Sequence, residues 1–163
     1  MLVSTFTLGE LYLGINIRLV REINRSMECT PVPGSPNYIR GMLNIRGRVI
    51  TLFDLKTRLG WSRQESGELK TKHYNVIMKT RDEVLKIDQE LALTKCPWED
   101  PVGLAVDQLG DVRDIVDDNI LPPPANLTGI SADFIHGVVE FERNLLIILD
   151  VATVLGLNSQ ASS

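Results

Sequence analysis

The chain has 163 residues, 44% apolar and 23% charged, with a net charge of −4 and a pI near 5.2. That make-up fits one ordinary soluble domain, or two small ones sharing a core, and a chain this long buries roughly 70% of its unfolded surface. An acidic balance argues against nucleic acid or an anionic membrane as the main partner, because both attract a basic face.

In chain order, the segment from Thr5 to Ile17 reads as two strands joined at a Gly9-Glu10 turn, with a third strand over Arg18–Asn24. Thr30–Asn37 holds three prolines and a glycine in eight residues, which marks an ordered loop. Val49–Phe53 is a nearly continuous apolar run, the pattern of a strand covered on both faces. Asp54 then stands where a helix N-cap is wanted, and Gly60 where a left-handed C-terminal cap is wanted. Residues 61–72 are polar and read as a surface loop, and His73–Lys79 as a strand. Thr80-Arg-Asp-Glu83 is a capping-box pattern. It starts either a helix over about 81–93, with Val84, Leu85, Ile87 and Leu91 as apolar members, or a hairpin built on Val84–Asp88. Further on, Leu145–Leu149, Asp150 and Gly156 repeat the device of apolar strand, N-cap and glycine cap.

That repetition extends over a gap-free window. Residues 39–60 align on 135–156, with Ile39 on Ile135, Gly41 on Gly137, Asp54 on Asp150, Thr57 on Thr153 and Leu59-Gly60 on Leu155-Gly156. More weakly, Gly14 matches Gly103, Glu22-Ile23 falls on Asp111-Val112, and Pro31-Val-Pro33 has its counterpart in Pro122-Pro-Pro124. An internal repeat fixes the architecture. Here it predicts a single domain of pseudo-duplicated halves, roughly 15–72 and 102–157, with an enlarged midsection at about 73–101. Short strands at this spacing predict small closed sheets. Leu146 and Ile148 are expected in the seam between the halves.

Residues that carry chemistry are sparse. No phosphate-binding loop, dinucleotide turn or nucleophile elbow is present. His136 takes the place of Arg40 in the other copy, which makes it a scaffold position. The acidic stretch Asp107–Asp118 lacks the loop that holds calcium and reads as a solvated strand face. Trp61 and Trp98 read as packing residues. Cys29 and Cys96 lie far apart, which suits free thiols in a reducing cytosol. No signal peptide is expected, and the longest plain apolar run falls far short of the ~20 residues of a membrane span. The copies differ most at Asn44-Ile-Arg46-Gly47-Arg48 against Glu140-Phe-Glu142-Arg143-Asn144. Gly47 permits a positive-φ turn that would aim the Arg46 guanidinium at a partner, or else Arg46 pairs internally with Glu22.

The segment Tyr38-Ile-Arg-Gly-Met-Leu-Asn-Ile-Arg-Gly-Arg-Val-Ile-Thr-Leu-Phe-Asp-Leu resembles the CheW-like adaptors of bacterial chemotaxis. Phe6-Thr-Leu-Gly, Val20-Arg-Glu-Ile23, Pro31-Val-Pro33, Val102–Asp107, Ile120–Pro124 and Ile135–Val138 follow in that family's order, so the resemblance covers about residues 5–157. It implies a mostly β fold of two five-stranded barrels sharing a hydrophobic core, with short capping helices. It also implies a cytoplasmic, non-enzymatic scaffold with no cofactor and no metal. Its partners would be a CheA-type histidine kinase regulatory domain and the cytoplasmic tip of a chemoreceptor, with neither nucleic acid nor membrane insertion. The motif positions that carry over as protein-binding are Arg46 and Val20 toward the receptor, with Glu22, Ile23, Arg40, Gly41, Asn44 and Gly47 nearby. The stretch between the His73–Lys79 strand and Val102 is longer than the family's usual hairpin. The alternative role is therefore a specialised or inhibitory paralogue serving surface motility or gene regulation. A small hydrolase or ligand-binding barrel is a third reading, from another class.

Overall fold

The computed structural model describes residues 1–25, 27–60, 73–125, 127 and 129–156. The expected loop at 61–72 and Trp61 lie outside them. Strands β1 (Leu2–Leu8) and β2 (Leu11–Asn16) meet at the Gly9-Glu10 turn, as the sequence predicts. A 3-10 turn over Ile17–Leu19, capped by the Asn16 side chain on Arg18 N, displaces the third strand from Arg18–Asn24 to β3 (Val20–Arg25). β4 (Ile39–Ile45), β5 (Arg48–Asp54) and helix α1 (Leu55–Arg58) complete the first half. After them come β6 (Tyr74–Met78), α2 (Arg81–Leu85), α3 (Gln89–Lys95), β7 (Val102–Val106) and β8 (Gln108–Asp114). β9 (Ile135–Glu140), β10 (Leu145–Leu149) and α4 (Val151–Val154) close the order. No helix among the described residues is long and apolar enough to cross a membrane.

The strands form two five-stranded sheets, ordered β8-β1-β2-β10-β9 and β3-β6-β7-β5-β4. Replacing each strand of one order by its repeat counterpart gives the other. Each sheet therefore mixes the two halves. β2 runs parallel to β10, and β5 parallel to β7, so each half lends strands to its neighbour's sheet. β6 occupies the place that β1 holds in the other sheet, although Leu2–Leu8 and Tyr74–Met78 share no aligned identity. The expected closure is absent. Among the described residues, no ladder joins β3 to β4 or β8 to β9. Single antiparallel bridges, Thr30 to Met42 on β4 and Leu121 to Val138 on β9, are found at those strands instead. Gly41 and Gly137 let the proline loops approach there. A Cβ on Gly41 would sit 2.4 Å from Thr30 O, and one on Gly137 would sit 2.4 Å from Ile120 Cγ2.

Alternation along the strands explains the unbroken apolar runs. Leu146 and Ile148 of β10 point into a small core within the first sheet with Val3, Ile115 and Val139. Ile147 and Leu149 point the other way, into the large core that also takes Phe6, Leu13, Phe53, Leu104 and Val151. The sequence expectation for Leu146 and Ile148 thus needs correction: they fill their own sheet, and their odd-numbered neighbours fill the shared seam. β5 does the same, with Ile50 and Leu52 in a second small core and Phe53 in the shared one.

Of the two readings of 81–93 the helix holds over the hairpin, but it is split in two. The capping box at Thr80 and Glu83 forms, but Asp88 accepts from Leu91 N and starts a second helix. The split leaves Val84 buried and Ile87 half-exposed at 51%. Trp98 packs as expected, 3% exposed, with its indole N–H donated to Lys79 O at 2.6 Å.

Candidate functional site

The two capped turns reproduce each other closely. Asp54 caps Thr57 N and Asp150 caps Thr153 N, each at 3.3 Å. Asp54 N donates to Tyr38 O at 2.7 Å, and Asp150 N to Phe134 O at 2.8 Å. Gly60 and Gly156 stop the turns at φ of 75° and 80°. Against that shared frame the hairpin tips differ. β4 and β5 are joined by Arg46 and Gly47 alone, whereas β9 and β10 are separated by the four residues 141–144. Arg46 (φ 54°) and Gly47 (φ 82°) are both left-handed, the conformation of the two-residue turn that matches strand twist. Arg46 is the one non-glycine residue with positive φ among those described. Such a residue costs roughly 1–2 kcal/mol. The Asn44 carboxamide offsets part of that by accepting from Gly47 N at 3.0 Å.

The turn places Arg46 over Glu22 of β3, and the two form an ion pair. Arg46 nevertheless keeps 74% of its side chain exposed, against 22% for Glu22. The internal pair with Glu22, one of the two sequence alternatives, is therefore formed, and the guanidinium still faces solvent. An exposed pair of this kind contributes about 0–1 kcal/mol, so it is readily exchanged. Glu22 is further held by Asn24 Nδ2 at 3.3 Å. Beside them, Arg48 donates to Glu83 at 2.7 Å and Arg21 donates to it at 3.2 Å. Arg21, Glu22, Ile45, Arg46, Arg48 and Ile50 enclose a shallow pocket of about 100 Å³.

Glu83 belongs to α2, where it also accepts from Thr80 N at 3.1 Å. Burial acts to raise its pKa. The hydrogen bonds from Arg48 and Thr80 outweigh that, so its carboxyl titrates below the ordinary glutamate value.

Of the sequence-derived positions, Glu22, Asn44, Arg46 and Gly47 come together here. Ile23 lies next to them on β3, 38% exposed, while Val20 is partly buried against the shared core. Arg40 and Gly41 lie toward the other end of β4, about 10 Å along the strand from Asn44 for Gly41 and about 20 Å from Arg46 for Arg40. Arg40 donates to Asp54 at 3.2 Å, and its guanidinium lies 3.2 and 3.3 Å from the two ring nitrogens of His73. Burial first, and Arg40 second, push the His73 pKa below its usual 6.5, against opposing effects of Asp54, Asn75 and Asp107. Sequence reasoning missed Arg21, Arg48 and Glu83. The Thr80–Glu83 capping signal announced the helix but gave no sign that the same carboxylate reaches two arginines on other strands. Among the described residues no group of three or more His, Cys, Asp or Glu side chains is placed to hold a metal.

Two five-stranded sheets that exchange strands are an architecture shared with known proteins. The CheW-like domain family matches residues 3–158, and the chain belongs to that family. It is 32% identical to the chemotaxis protein CheW of Treponema pallidum, over 90% of this chain and 77% of that protein. It is 27% identical to that of Rhizobium meliloti, over 91% and 83%. It superposes on the crystal structure of the scaffolding protein TtCheW from Thermoanaerobacter tengcongensis with a TM-score of 0.73 and 27% identity, covering 94% of this chain and 86% of that one. The chain is accordingly a scaffold protein of chemotaxis and not an enzyme.

Proposed function

We propose that this chain couples the cytoplasmic tips of chemoreceptors to the regulatory domain of a CheA-type histidine kinase, at the inner face of the membrane. The exposed guanidinium of Arg46, carried by a turn that costs energy to hold, is the observation that supports this reading most. A side chain kept outward in a strained conformation is the signature of a site retained for binding. Glu22, Ile23, Asn44 and Gly47 form the rest of that contact with Val20 at its margin, and Arg40 and Gly41 belong to a separate one. The experiment is co-sedimentation with receptor-containing membranes and the kinase. The wild-type protein enters the complex, and Arg46→Ala folds normally but binds more weakly by about 1–3 kcal/mol. Failure of the wild-type protein to enter either complex at micromolar concentration sinks the reading.

A specialised coupling role has one observation in its favour. Where the first half turns at Gly9-Glu10, the second carries α2 and α3, tied by Arg18–Asp88 at 2.9 Å to the turn before β3 and by the Glu83 pairs to β3 and β5. Deleting 81–98 would also strip Val84, Ala92, Cys96 and Trp98 from the shared core, so surface substitutions are the proper probe.

A further inference from the structure

We infer that Glu83 is a specificity-determining residue of the arginine face: it ties up Arg21 and Arg48 so that Arg46 alone is offered to an acidic partner segment. The inference rests on the adaptor reading for its biological partner, but not for its physics. Three guanidiniums and two carboxylates meet here, a local excess of one positive charge on a chain whose net charge is −4.

Their exposures are ordered. Arg46 shows 74% of its side chain, Arg21 39%, Arg48 29%, Glu83 28% and Glu22 22%. Arg48 and Glu83 are covered alike, but Arg46 and Arg21 are more exposed than either carboxylate, so a visiting carboxylate meets those two guanidiniums first. It must then compete with whatever already holds them. Arg46 has one exposed pair to give up. Arg48 is about seven-tenths covered and bonded at 2.7 Å to a carboxylate that Thr80 and Arg21 also fix. Charge-assisted bonds to a fixed, partly covered acceptor are the strong ones, and exchange there is unfavourable.

The acceptor comes from α2, in the segment that replaces a two-residue turn in the other half. The segment therefore does more than lengthen a connection: its one carboxylate engages two of the three cationic groups beside the binding tip. Glutamine at position 83 keeps the capping-box geometry, since its amide oxygen can still accept from Thr80 N, but removes the charge.

The test is a titration of the full chain with a polyglutamate peptide at about 20 mM and about 300 mM salt, followed by anisotropy. Glu83→Gln binds the peptide about threefold to tenfold more tightly at low salt, and the gain collapses at high salt. Adding Arg48→Gln in that background restores the wild-type level. Arg46→Ala costs fewer-fold in Glu83→Gln than in the wild-type chain, because the freed arginines substitute for it. A purely structural role for Glu83 predicts equal fold-losses instead. Unchanged peptide affinity in Glu83→Gln, or additive losses, overturns the proposal.

Should Glu83→Gln fail to fold, the paired change Arg21→Gln with Arg48→Gln decides. Less than about twofold loss of peptide binding supports the proposal, and a larger loss overturns it. Absence of the wild-type chain from receptor membranes would sink the adaptor reading and leave the peptide result standing.

Discussion

Arg58 has no counterpart in the other copy, where Val154 occupies its position, yet it crosses the axis that relates the halves. Its Nε donates to Val154 O at 2.6 Å and its terminal nitrogen to Thr153 O at 3.3 Å. Thr153 O also accepts from Gly156 N at 2.9 Å, and Val154 O stands at the end of α4, where helical carbonyls run out of intrahelical donors. The guanidinium also stacks over Tyr38 at 4.7 Å and Phe134 at 5.0 Å, two aromatics at equivalent places in the repeat. Replacing Arg58 by Met keeps the stem and removes the fork. Each charged hydrogen bond contributes about 1.5–3 kcal/mol, and each half-covered cation–π contact about 0.5–2. One side chain makes all four, and water reaches the carbonyls once it is gone, so the contributions do not add. The expected loss is about 2–3 kcal/mol in urea unfolding, or roughly 5–10 °C in Tm for a chain of this size. Arg58→Lys recovers little, because a point charge reproduces neither the fork nor the stack. A loss in Arg58→Met below about 0.5 kcal/mol, or full rescue by lysine, refutes the argument.

Two other outcomes follow from buried groups. Burial pushes the Cys96 thiol up to about 12, and its side chain is fully covered, whereas Cys29 is partly exposed. A thiol-reactive dye at mild alkaline pH should therefore label one cysteine in the native protein and two in denaturant; two native labels would contradict the packing. His73 has a folded pKa below 6.5, so as pH falls through that value the unfolded chain takes up a proton that the native one refuses. Stability should drop there, and the drop should shrink in His73→Gln; identical pH profiles for the two proteins would show that His73 contributes nothing to it.

The local devices were legible in the sequence because their partners lie a few residues away. Asp54 and Asp150 cap three residues on, and Thr80 and Glu83 close on each other. The repeat itself was legible wherever both copies need the same special residue, as at Gly41 and Gly137. Strand exchange between the sheets was not. It depends on parallel pairings such as Leu52 with Gly103 and Leu13 with Ile147, far apart in sequence and dictated by packing alone. The split of the expected helix shows two local rules in competition. Val84, Ile87 and Leu91 keep helical spacing, but Asp88 satisfies Leu91 N better as a cap than as an interior residue, and Ile87 turns outward.

The site was half legible for the same reason. Asn44, Arg46 and Gly47 announce their turn, while Arg21, Arg48 and Glu83 converge only in three dimensions. The turn also yields a sharper test than loss of binding. Asparagine tolerates the left-handed conformation better than arginine does, and Asn-Gly is the preferred pair for a two-residue hairpin. Arg46→Asn gives up an exposed ion pair of about 0–1 kcal/mol and relieves a strain of about 1–2 kcal/mol. The variant should be as stable as the parent or more so, by up to about 1 kcal/mol, while engaging receptor membranes less well. That opposition separates function from folding. If Arg46 served only the fold, Arg46→Asn would lose stability and keep its binding; the reverse outcome is what a strained, outward-facing arginine requires.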